Sequence, residues 1–272
     1  MSVKIIADST SDFSIQEAER LGIELVPLKV SFGDEEYIDK FTITNRQFYE
    51  KLKSSDVMPT TAQVSPQRFL DVYAKYPSDD IVGIFLSHNL SGTYQSAMIA
   101  KEESGRKNVY PVDSASVTVG EALVVKQAIR LRDEGLSGKE IYEKINLLAK
   151  KVEMLAILDT LKYLVKGGRL SSTKGFVGNM LGIKPIVSVK DGIISQYGQK
   201  RGMRNALDSA VRDIRALPDY DPRMPVGFSH ADNMADVDYL RTHFRDGDVF
   251  DMGSVVGTHG GPRAIAIAYF RR

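Results

Sequence analysis

DIVGIFLSHNLSGTYQSA, residues 80–97, passes from an apolar run through a cluster of small polar residues into a helical pattern. The run 80–87 is mostly apolar, which is typical of a strand buried on both faces in a parallel sheet. The polar cluster follows this strand directly, at the place where open parallel sheets bind ligands. The stretch therefore predicts a strand, a ligand-binding loop around Ser91 and a helix that ends near residue 104.

The chain around this stretch predicts an α/β fold, because short β-branched runs alternate with amphipathic segments as in βαβ units. In the first half, strands are predicted at 3–9, 24–32, 80–87 and 108–114. Helices are predicted at 14–22, 44–55, 65–76, in the segment up to 104, at 117–134 and at 138–151, with a loop at 58–65. Pro27 lacks a ladder donor, which favours an edge or a bulge at that point. We expect a Rossmann-like parallel sheet with helices.

The second half has a different pattern. Asp191-Gly192 is a strong hairpin dipeptide between two strands predicted within 184–202. The remaining elements are strands at 154–160, 225–229, 248–256 and 264–270, helices at 203–216 and 233–244, and a broken helix within 163–182. We expect a mixed or antiparallel sheet with helices in residues 153–272, a separate parallel α/β domain in residues 1–152, and a ligand site at their interface.

The composition excludes several classes of protein. The 272 residues hold 36 basic and 35 acidic side chains, and the net charge of +1 gives no field that would gather nucleic acid. The chain has no cysteine, which excludes disulfides and thiolate metal sites. No apolar run approaches the ~18 residues of a membrane span, and Lys4, Asp8 and Asp12 interrupt any signal-peptide core. We expect a cytoplasmic protein with no nucleic-acid partner and no integral membrane segment.

Four loops are rich in small polar residues, and most follow a predicted strand: Asp8–Asp12, Pro59–Ser65, Ser87–Ser96 and Val256–Arg263. Each loop alone is typical of a helix cap or a turn, because Ser, Thr, Asp and Gly favour both. Four such loops together favour a binding site. Neither G-x-x-x-x-G-K-[ST] nor G-x-G-x-x-G occurs, and no two histidines have metal-ligand spacing. We therefore expect no nucleotide, no metal and no other cofactor.

Ser91 admits two interpretations. Its place between a strand and a helix suits a nucleophile elbow, but G-x-S-x-G is absent and no Ser-Asp-His order is evident. At a helix N-terminus, Ser91 and the neighbouring amides could instead hold a carboxylate or a phosphate without a lysine. Thr60 or Thr61 could supply a second hydroxyl, and His259 a third donor. Such a site favours a carboxylic acid.

A ligand with an apolar part would also need an apolar surface to pack against. The segment 175–187, GFVGNMLGIKPIV, is apolar and glycine-rich, and it carries Met180, a flexible side chain that fills irregular gaps. The same pattern is typical of a core helix that packs closely through its glycines. The segment is therefore either part of a ligand site or part of the core.

Six motifs, in order along the chain, resemble those of the DegV family: ADSTSD, PTTAQVSP, LSHNLSGTYQSA, LDTLKYLVKGGRLS, LGIKPIVSVKDGII with QKRGMRNAL, and VGTHGGP. They span nearly the whole chain, and six ordered motifs are more specific than any single one. The resemblance implies a bacterial protein of two α/β domains that binds a long-chain fatty acid, with the carboxylate at the domain interface and the tail buried. It also implies that the chain is not itself an enzyme. Some members are the acyl-carrying subunit of a fatty acid kinase and present the carboxylate to an ATP-binding partner, which forms the acyl phosphate.

The resemblance also assigns the carboxylate site. The family's carboxylate-binding threonine and serine fall on Thr61 and Ser91, and Gly92 would let the head group approach the backbone. The histidine of the C-terminal motif falls on His259, which we expect near the carboxylate with a role in phosphate transfer. His88, beside Ser91 in sequence, is expected to be a bystander.

Two arginines match basic positions of the family that meet the partner or order the site, Arg169 in GGRLS and Arg201 in QKRG. The chain departs from the family pattern at Arg263, where a small residue is more usual, and this bears on phosphate transfer more than on lipid binding. Two other functions stay open. One is a serine hydrolase that attacks acyl esters through Ser91, and the other is a lipid-responsive regulatory module.

Overall fold

The computed structural model describes residues 2–170 and 181–272, and within these ranges three sheets are surrounded by helices. The strands are β1 (Val3–Asp8), β2 (Ile23–Val26), β3 (Lys29–Phe32), β4 (Glu35–Ile38), β5 (Thr60–Ala62), β6 (Asp80–Phe85), β7 (Val109–Asp113), β8 (Val152–Ile157), β9 (Ile183–Lys190), β10 (Ile193–Arg201), β11 (Gly227–His230), β12 (Asp248–Asp251) and β13 (Ile265–Phe270). The helices are α1 (Ile15–Leu21), α2 (Asn45–Ser54), α3 (Pro66–Ala74), α4 (Thr93–Ser104), α5 (Val119–Asp133), α6 (Gly138–Ala149), α7 (Lys162–Lys166), α8 (Met203–Ala216), α9 (Met234–His243) and α10 (Ser254–Gly260), with a 3-10 turn at Ser9–Ser11.

The N-terminal sheet has the strand order β2-β1-β6-β7, and every neighbouring pair is parallel. Local sequence positions several of its helices, since capping boxes at Ser14 and Ser137 begin α1 and α6. The carboxyl ends of parallel strands share one edge of a sheet. Thr10, Ser91 and Thr118, which follow β1, β6 and β7, are therefore brought to the same side of the molecule.

The C-terminal sheet is mixed, with the order β10-β9-β8-β13-β11-β12. Only the β11 and β12 pair is parallel, and the other neighbours are antiparallel. The Asp191-Gly192 turn joins β9 to β10 as predicted, with both residues at positive φ. One face of the sheet packs against α8 and α9, and the other faces the N-terminal half. The predicted fold class, a parallel sheet with helices followed by a mixed sheet with helices, is confirmed.

Helix α5 lies between the two sheets. Of its 15 residues, 11 are buried, as expected for a helix that is apolar on most sides. It packs against β1 and β6 on one side and against β8, β11 and β13 on the other, within a buried apolar cluster that extends from Ile5 to Phe270. The predicted domain boundary between residues 152 and 153 falls at the start of β8 and stays a prediction. In the ranges that the structure describes, no helix is both long and apolar enough to cross a membrane.

The predicted strand 24–32 is wrong, because the chain leaves the parallel sheet at Pro27. Proline has no N–H for the ladder, so β2 ends there and β3 pairs in a separate antiparallel sheet of order β4-β3-β5. Gly33, at φ +60°, closes the β3-β4 hairpin. The segment 58–65, predicted as a loop, contains β5. A Gly-Asp pair between two strand-like runs was the available hairpin signal.

The predicted strand 248–256 is wrong in its second half, where α10 begins at Ser254 and carries the VGTHGGP motif. The β-branched residues of this segment favour a strand locally. Tertiary contacts decide for the helix, because Asp12 accepts a hydrogen bond from the Gly253 N–H at 2.9 Å and Asp39 from the Ser254 N–H at 3.0 Å. These carboxylates satisfy amides at the helix start that have no intrahelical partner.

Candidate functional site

A cavity of about 370 Å³ lies between the two halves of the molecule. Its volume falls within the roughly 300–1,000 Å³ of small-molecule sites. The lining residues of the N-terminal half are Thr10, Leu28, Thr61, Ala62, Gln63, Leu86, Leu90, Ser91, Gly92, Val117 and Thr118. The lining residues of the C-terminal half are Met154, Ala156, Leu158, Leu164, Arg169, Val187, Val189, Ile194, Met252, Val255, Val256, His259, Gly260, Ala264 and Ala266.

The structure brings most of the sequence-predicted site residues together. Those that line the cavity are Thr61, Ser91, Gly92, Arg169 and His259. They come from β5, from the loop after β6, from the chain after α7 and from α10. The sixth, Arg201, is exposed at the end of β10 and does not line the cavity. A direct role for Arg201 in ordering the site is therefore not supported by its position.

Thr61 and His259 are joined by a hydrogen bond, with 3.1 Å between Thr61 Oγ1 and His259 Nε2. His259 Nδ1 is buried and has no hydrogen-bond partner among the described residues. The backbone of Gly167 packs closely against this nitrogen, because a Cβ on Gly167 would lie only 2.1 Å from it. Burial, together with the smaller effect of the positive charge of Arg169, lowers the pKa of His259 to about 4. The imidazole is therefore neutral at pH 7.

The covered Nδ1 decides which nitrogen of His259 carries the proton. A buried N–H without a partner is rarer in proteins than a buried acceptor without one, so the proton belongs on Nε2. Nε2–H then donates to Thr61 Oγ1. The hydroxyl proton of Thr61, which lines the cavity, is then not used in the bond to His259.

Ser91 lies one residue before Gly92, the N-cap of α4. Its hydroxyl is 3.0 Å from Thr93 Oγ1 and accepts from the Thr93 N–H at 3.3 Å, so it caps the first turn of the helix. The direction of a Cβ on Gly92 is filled by Gln63, whose Oε1 would lie at 2.1 Å, while the Gln63 amide donates to Ser96 Oγ at 3.0 Å. Sequence reasoning missed Gln63, although it stands inside the PTTAQVS motif.

The geometry does not support a nucleophilic Ser91. The hydrogen bonds of the described residues join Ser91 to Thr93 and not to any histidine. His88 is exposed and bonded to the Asp113 carboxylate, and His259 is engaged with Thr61. A serine nucleophile needs a base in contact with its hydroxyl. Ser91 lines the cavity, and the hydrogen bonds of its hydroxyl among the described residues are to Thr93.

Most of the remaining cavity wall is apolar, and alternation along the strands of the C-terminal sheet produces much of it. Residues on one face line the cavity: Met154, Ala156, Val187, Val189, Ala264 and Ala266. Their neighbours in sequence, such as Leu155 and Ile267, pack on the other face against α8 and α9. Ala156 stands opposite Ala266 in the ladder, and these small side chains leave the space open. This wall was not predicted from the sequence, although the repeat of small and apolar residues at every second position of these strands was the available signal.

The segment 175–187, considered as a ligand wall or a core helix, is only partly described. Residues 175–180, including Met180, lie outside the described residues. Val187, at its other end, is in strand β9 and lines the cavity. In the described part, residues 181–182 form a turn and residues 183–187 belong to β9, so the helix interpretation does not apply there.

Buried acids lie behind Thr10, which also lines the cavity. Asp8 caps the 3-10 turn as expected of the DSTSD motif, with the Thr10 N–H donating to Asp8 Oδ1 at 2.8 Å. Thr10 Oγ1 is 2.6 Å from that same oxygen and 2.8 Å from Glu121 Oε2. The Thr10 hydroxyl has one proton and can donate to only one of these two carboxylate oxygens. A second proton must therefore be present for the other contact to be a hydrogen bond. Burial raises the pKa of Glu121 well above its usual range, and we place the proton there. Within the described ranges, no three His, Asp or Glu side chains are grouped to hold a metal ion.

Known proteins resemble this chain over nearly its whole length. The family model described as "Uncharacterised protein, DegV family" matches residues 2–272. The chain belongs to the DegV family. A DegV domain-containing protein of Clostridium perfringens is 32% identical over 272 residues, which cover 98% of each chain. DegV proteins of known structure are similar over 100% of both chains: a lipid-binding protein from Thermotoga maritima (29% identity, TM-score 0.88) and a fatty-acid-binding protein from Thermus thermophilus (27% identity, TM-score 0.88).

Proposed function

We propose that this DegV protein binds one long-chain fatty acid, with the carboxylate at Thr61 and Ser91 and the tail in the cavity. The proposal depends mainly on how polar and apolar side chains are distributed along the cavity wall. Partly exposed hydrogen-bonding side chains gather around Thr61 and His259, and apolar side chains form most of the remaining wall, with buried Thr10 and Thr118 as polar exceptions. A fatty acid has the same distribution. The lipid and fatty acid bound by the Thermotoga and Thermus proteins agree with this choice of ligand.

The head-group end can satisfy a carboxylate. A carboxylate taken out of water needs hydrogen bonds, or it protonates or stays outside. Thr61 supplies a hydroxyl whose proton is free because His259 donates to its oxygen, and Ser91 supplies a second hydroxyl. Arg169 is the cation among the described lining residues, and its guanidinium donates to the carbonyls of Gly167 and Leu90 at the mouth.

The tail supplies most of the affinity. Burying ~14 methylenes at ~0.8 kcal/mol each contributes roughly 11 kcal/mol before any costs. Association and ordering reduce this sum substantially. The hydroxyl pair holds the head group without a permanent buried ion pair. This arrangement suits a protein that must later release its acyl group.

We further propose that the protein presents the carboxylate to an ATP-dependent fatty acid kinase and is not itself catalytic. The partly exposed head-group end supports this, since Thr61 and Ser91 are not fully buried. So does the motif resemblance, together with the absence of a nucleotide-binding motif from the sequence. In this role His259 and Arg169 would assist phosphate transfer at the mouth, and exposed Arg201 would meet the partner.

Native mass spectrometry of the protein purified from a bacterial host tests the binding proposal. We expect about one fatty acid per chain, and uptake of added palmitate or oleate by any empty fraction. An empty protein that also ignores both acids would contradict the proposal. Labelling of Ser91 by a fluorophosphonate probe would support the hydrolase instead, and a pull-down that finds another stable partner but no kinase would support a regulatory module.

The kinase proposal has a separate test in His259→Ala. We expect this variant to retain most fatty acid binding and to lose phosphorylation by the partner, because the histidine bonds Thr61 and is next to the head group. If His259→Ala abolished binding while Ser91→Ala left it unchanged, the assigned roles would be wrong.

A further inference from the structure

Helix α10 follows a strand of the C-terminal sheet and lies between the two halves. It packs against α7 of the C-terminal half and against α2, β3, β5 and the 3-10 turn of the N-terminal half. The Tyr49 hydroxyl donates to the carbonyl of Met252 at 3.0 Å, just before the helix. At Gly257, in its middle, a Cβ would lie 2.6 Å from the Tyr49 oxygen. Because His259 is in the last turn of α10, its position depends on how the helix is held.

Two buried carboxylates hold the start of α10. Asp12 Oδ1 accepts from the Gly253 N–H at 2.9 Å. Asp39 Oδ1 accepts from the Ser254 N–H at 3.0 Å and from the Ser254 hydroxyl at 2.6 Å. Both aspartates come from the N-terminal half, and they are 3% and 0% exposed. Negative charge at a helix N-terminus is stabilising, so these contacts fix the helix rather than merely touch it.

A buried lysine completes the group. Lys40 Nζ is 3.7 Å from Asp12 Oδ1, and its side chain is 7% exposed. A Cβ on Gly253 would lie 3.1 Å from Lys40 Nζ and 3.3 Å from the nearest oxygen of each aspartate, so all three side chains converge on this glycine. Buried charges are costly unless they are paired and hydrogen-bonded. Asp12 is paired with Lys40, and Asp39 Oδ1 accepts from both donors of Ser254, while Asp39 Oδ2 is buried without a partner among the described residues. We call these three side chains the charged triad.

The backbone around the charged triad is strained. Asp12 and Lys40 have φ of +61° and +67°, and Thr118, whose hydroxyl donates to Asp12, has φ of +51°. Positive φ is uncommon outside glycine, and for a β-branched residue it is a clear outlier. Such conformations persist only where the surrounding structure imposes them, and they cluster at ligand clamps and functional sites.

We propose that the charged triad positions His259. The step from Ser254 to His259 covers about 7.5 Å of helix at 1.5 Å per residue, so a shift at the start of α10 reaches the ring directly. The triad therefore sets the contact between His259 and Thr61 at the head-group end. This inference rests on the proposed function, because that function gives His259 its role.

Titration of His259 by NMR in the ligand-free protein tests this proposal. Asp39→Ala removes the acceptor for both donors of Ser254 and should loosen α10, which would expose the ring. We expect the pKa of His259 to rise from about 4 by about one unit or more. We also expect most fatty acid binding to be retained, as in His259→Ala, because the change acts through His259.

Two further variants make the test decisive. Asp221→Ala is the matched control, since Asp221 is 7% exposed and pairs with Arg223 at a distance from α10. It should lower stability without moving the His259 titration. Ser254→Ala removes only the hydroxyl that donates to Asp39, and the same titration can be measured on this variant if Asp39→Ala does not fold. An unchanged His259 pKa in the folded Asp39 or Ser254 variant would overturn the proposal. Because the titration needs no ligand, it separates this failure from a failure of fatty acid binding.

Discussion

The two ends of the cavity are built in different ways. The tail wall is one face of a regular sheet, where alternation along β8, β9 and β13 places small and apolar side chains toward the cavity. The head-group end is assembled from a loop, an edge strand and a short helix that lie far apart in sequence, and its central contact joins Thr61 to His259. In the proposed binding mode, the regular part would provide nonspecific apolar affinity, and the assembled part would recognise the carboxylate.

The largest expected effect concerns the titration of the head-group end. The folded protein holds the pKa of His259 near 4, whereas the unfolded chain has the ordinary value of 6.5. The unfolded state therefore binds the proton first as pH falls, and stability is lost between pH 6.5 and 4. Relative to His259→Gln, the wild type should lose up to about 3 kcal/mol over this range.

Denaturant unfolding of both proteins across this pH range measures the difference. Asp8 and Asp12, whose pKa values burial raises to about 6, act in the opposite direction, because they favour the folded state as pH falls. They are present in both proteins and cancel in the comparison. A constant difference across the range would mean that the ring is not held neutral by burial.

The next effect concerns the tail wall. Ala156→Leu would place three added carbons into the cavity opposite Ala266, and we expect the affinity for oleate to fall about 100-fold, at the upper end of overpacking costs. Decanoate should be weakened less, because its shorter tail leaves room. Isothermal titration calorimetry with both acids gives the comparison.

Ala210→Leu is the control for the tail wall, because Ala210 is buried in the cluster on the opposite face of the sheet. This change should lower the Tm and leave oleate binding unchanged. Ala156→Leu, by contrast, fills open space and should not lower the Tm of the empty protein. The reverse pattern would show that the tail lies elsewhere.

A smaller effect is expected at the head-group hydroxyls. Thr61→Ala and Ser91→Ala each remove one hydrogen bond to a charged group, which contributes about 1.5–3 kcal/mol, so oleate affinity should fall about 10-fold or more. Thr60→Ala is the matched control, since Thr60 is on the same strand, is exposed and does not line the cavity. Displacement of a fluorescent fatty acid measures all three variants. Equal loss from Thr60 and Thr61 would contradict the assignment.

The smallest effect is expected at Arg263, the residue that departs from the family pattern. It is exposed, has φ of +61° and does not line the cavity. Arg263→Ala should therefore leave oleate affinity within about twofold, as is usual for surface substitutions. A change in phosphorylation by a partner kinase with unchanged binding would place its role at the partner contact. A large loss of binding would extend the head-group end beyond the residues described above.

Much of the fold follows from local patterns. The parallel sheet of the first half, the Asp191-Gly192 hairpin and the helix after Ser91 were all predicted from periodicity and turn residues. The small sheet β4-β3-β5 and helix α10 were not predicted. The local sequence signal for the small sheet is weak, and the β-branched residues at the start of α10 favour a strand instead of a helix. Pro27 separates β2 from β3 without showing where β3 will pair.

The sequence by itself determined the family, through six ordered motifs, and the alternation along each strand that decides which side chains share a face. Only the tertiary structure decided that residues 254–260 are a helix, since Asp12 and Asp39 satisfy its first amides from distant parts of the chain. It also decided the neutral state of His259. Burial and long-range hydrogen bonds set both properties, and neither is a property of local sequence.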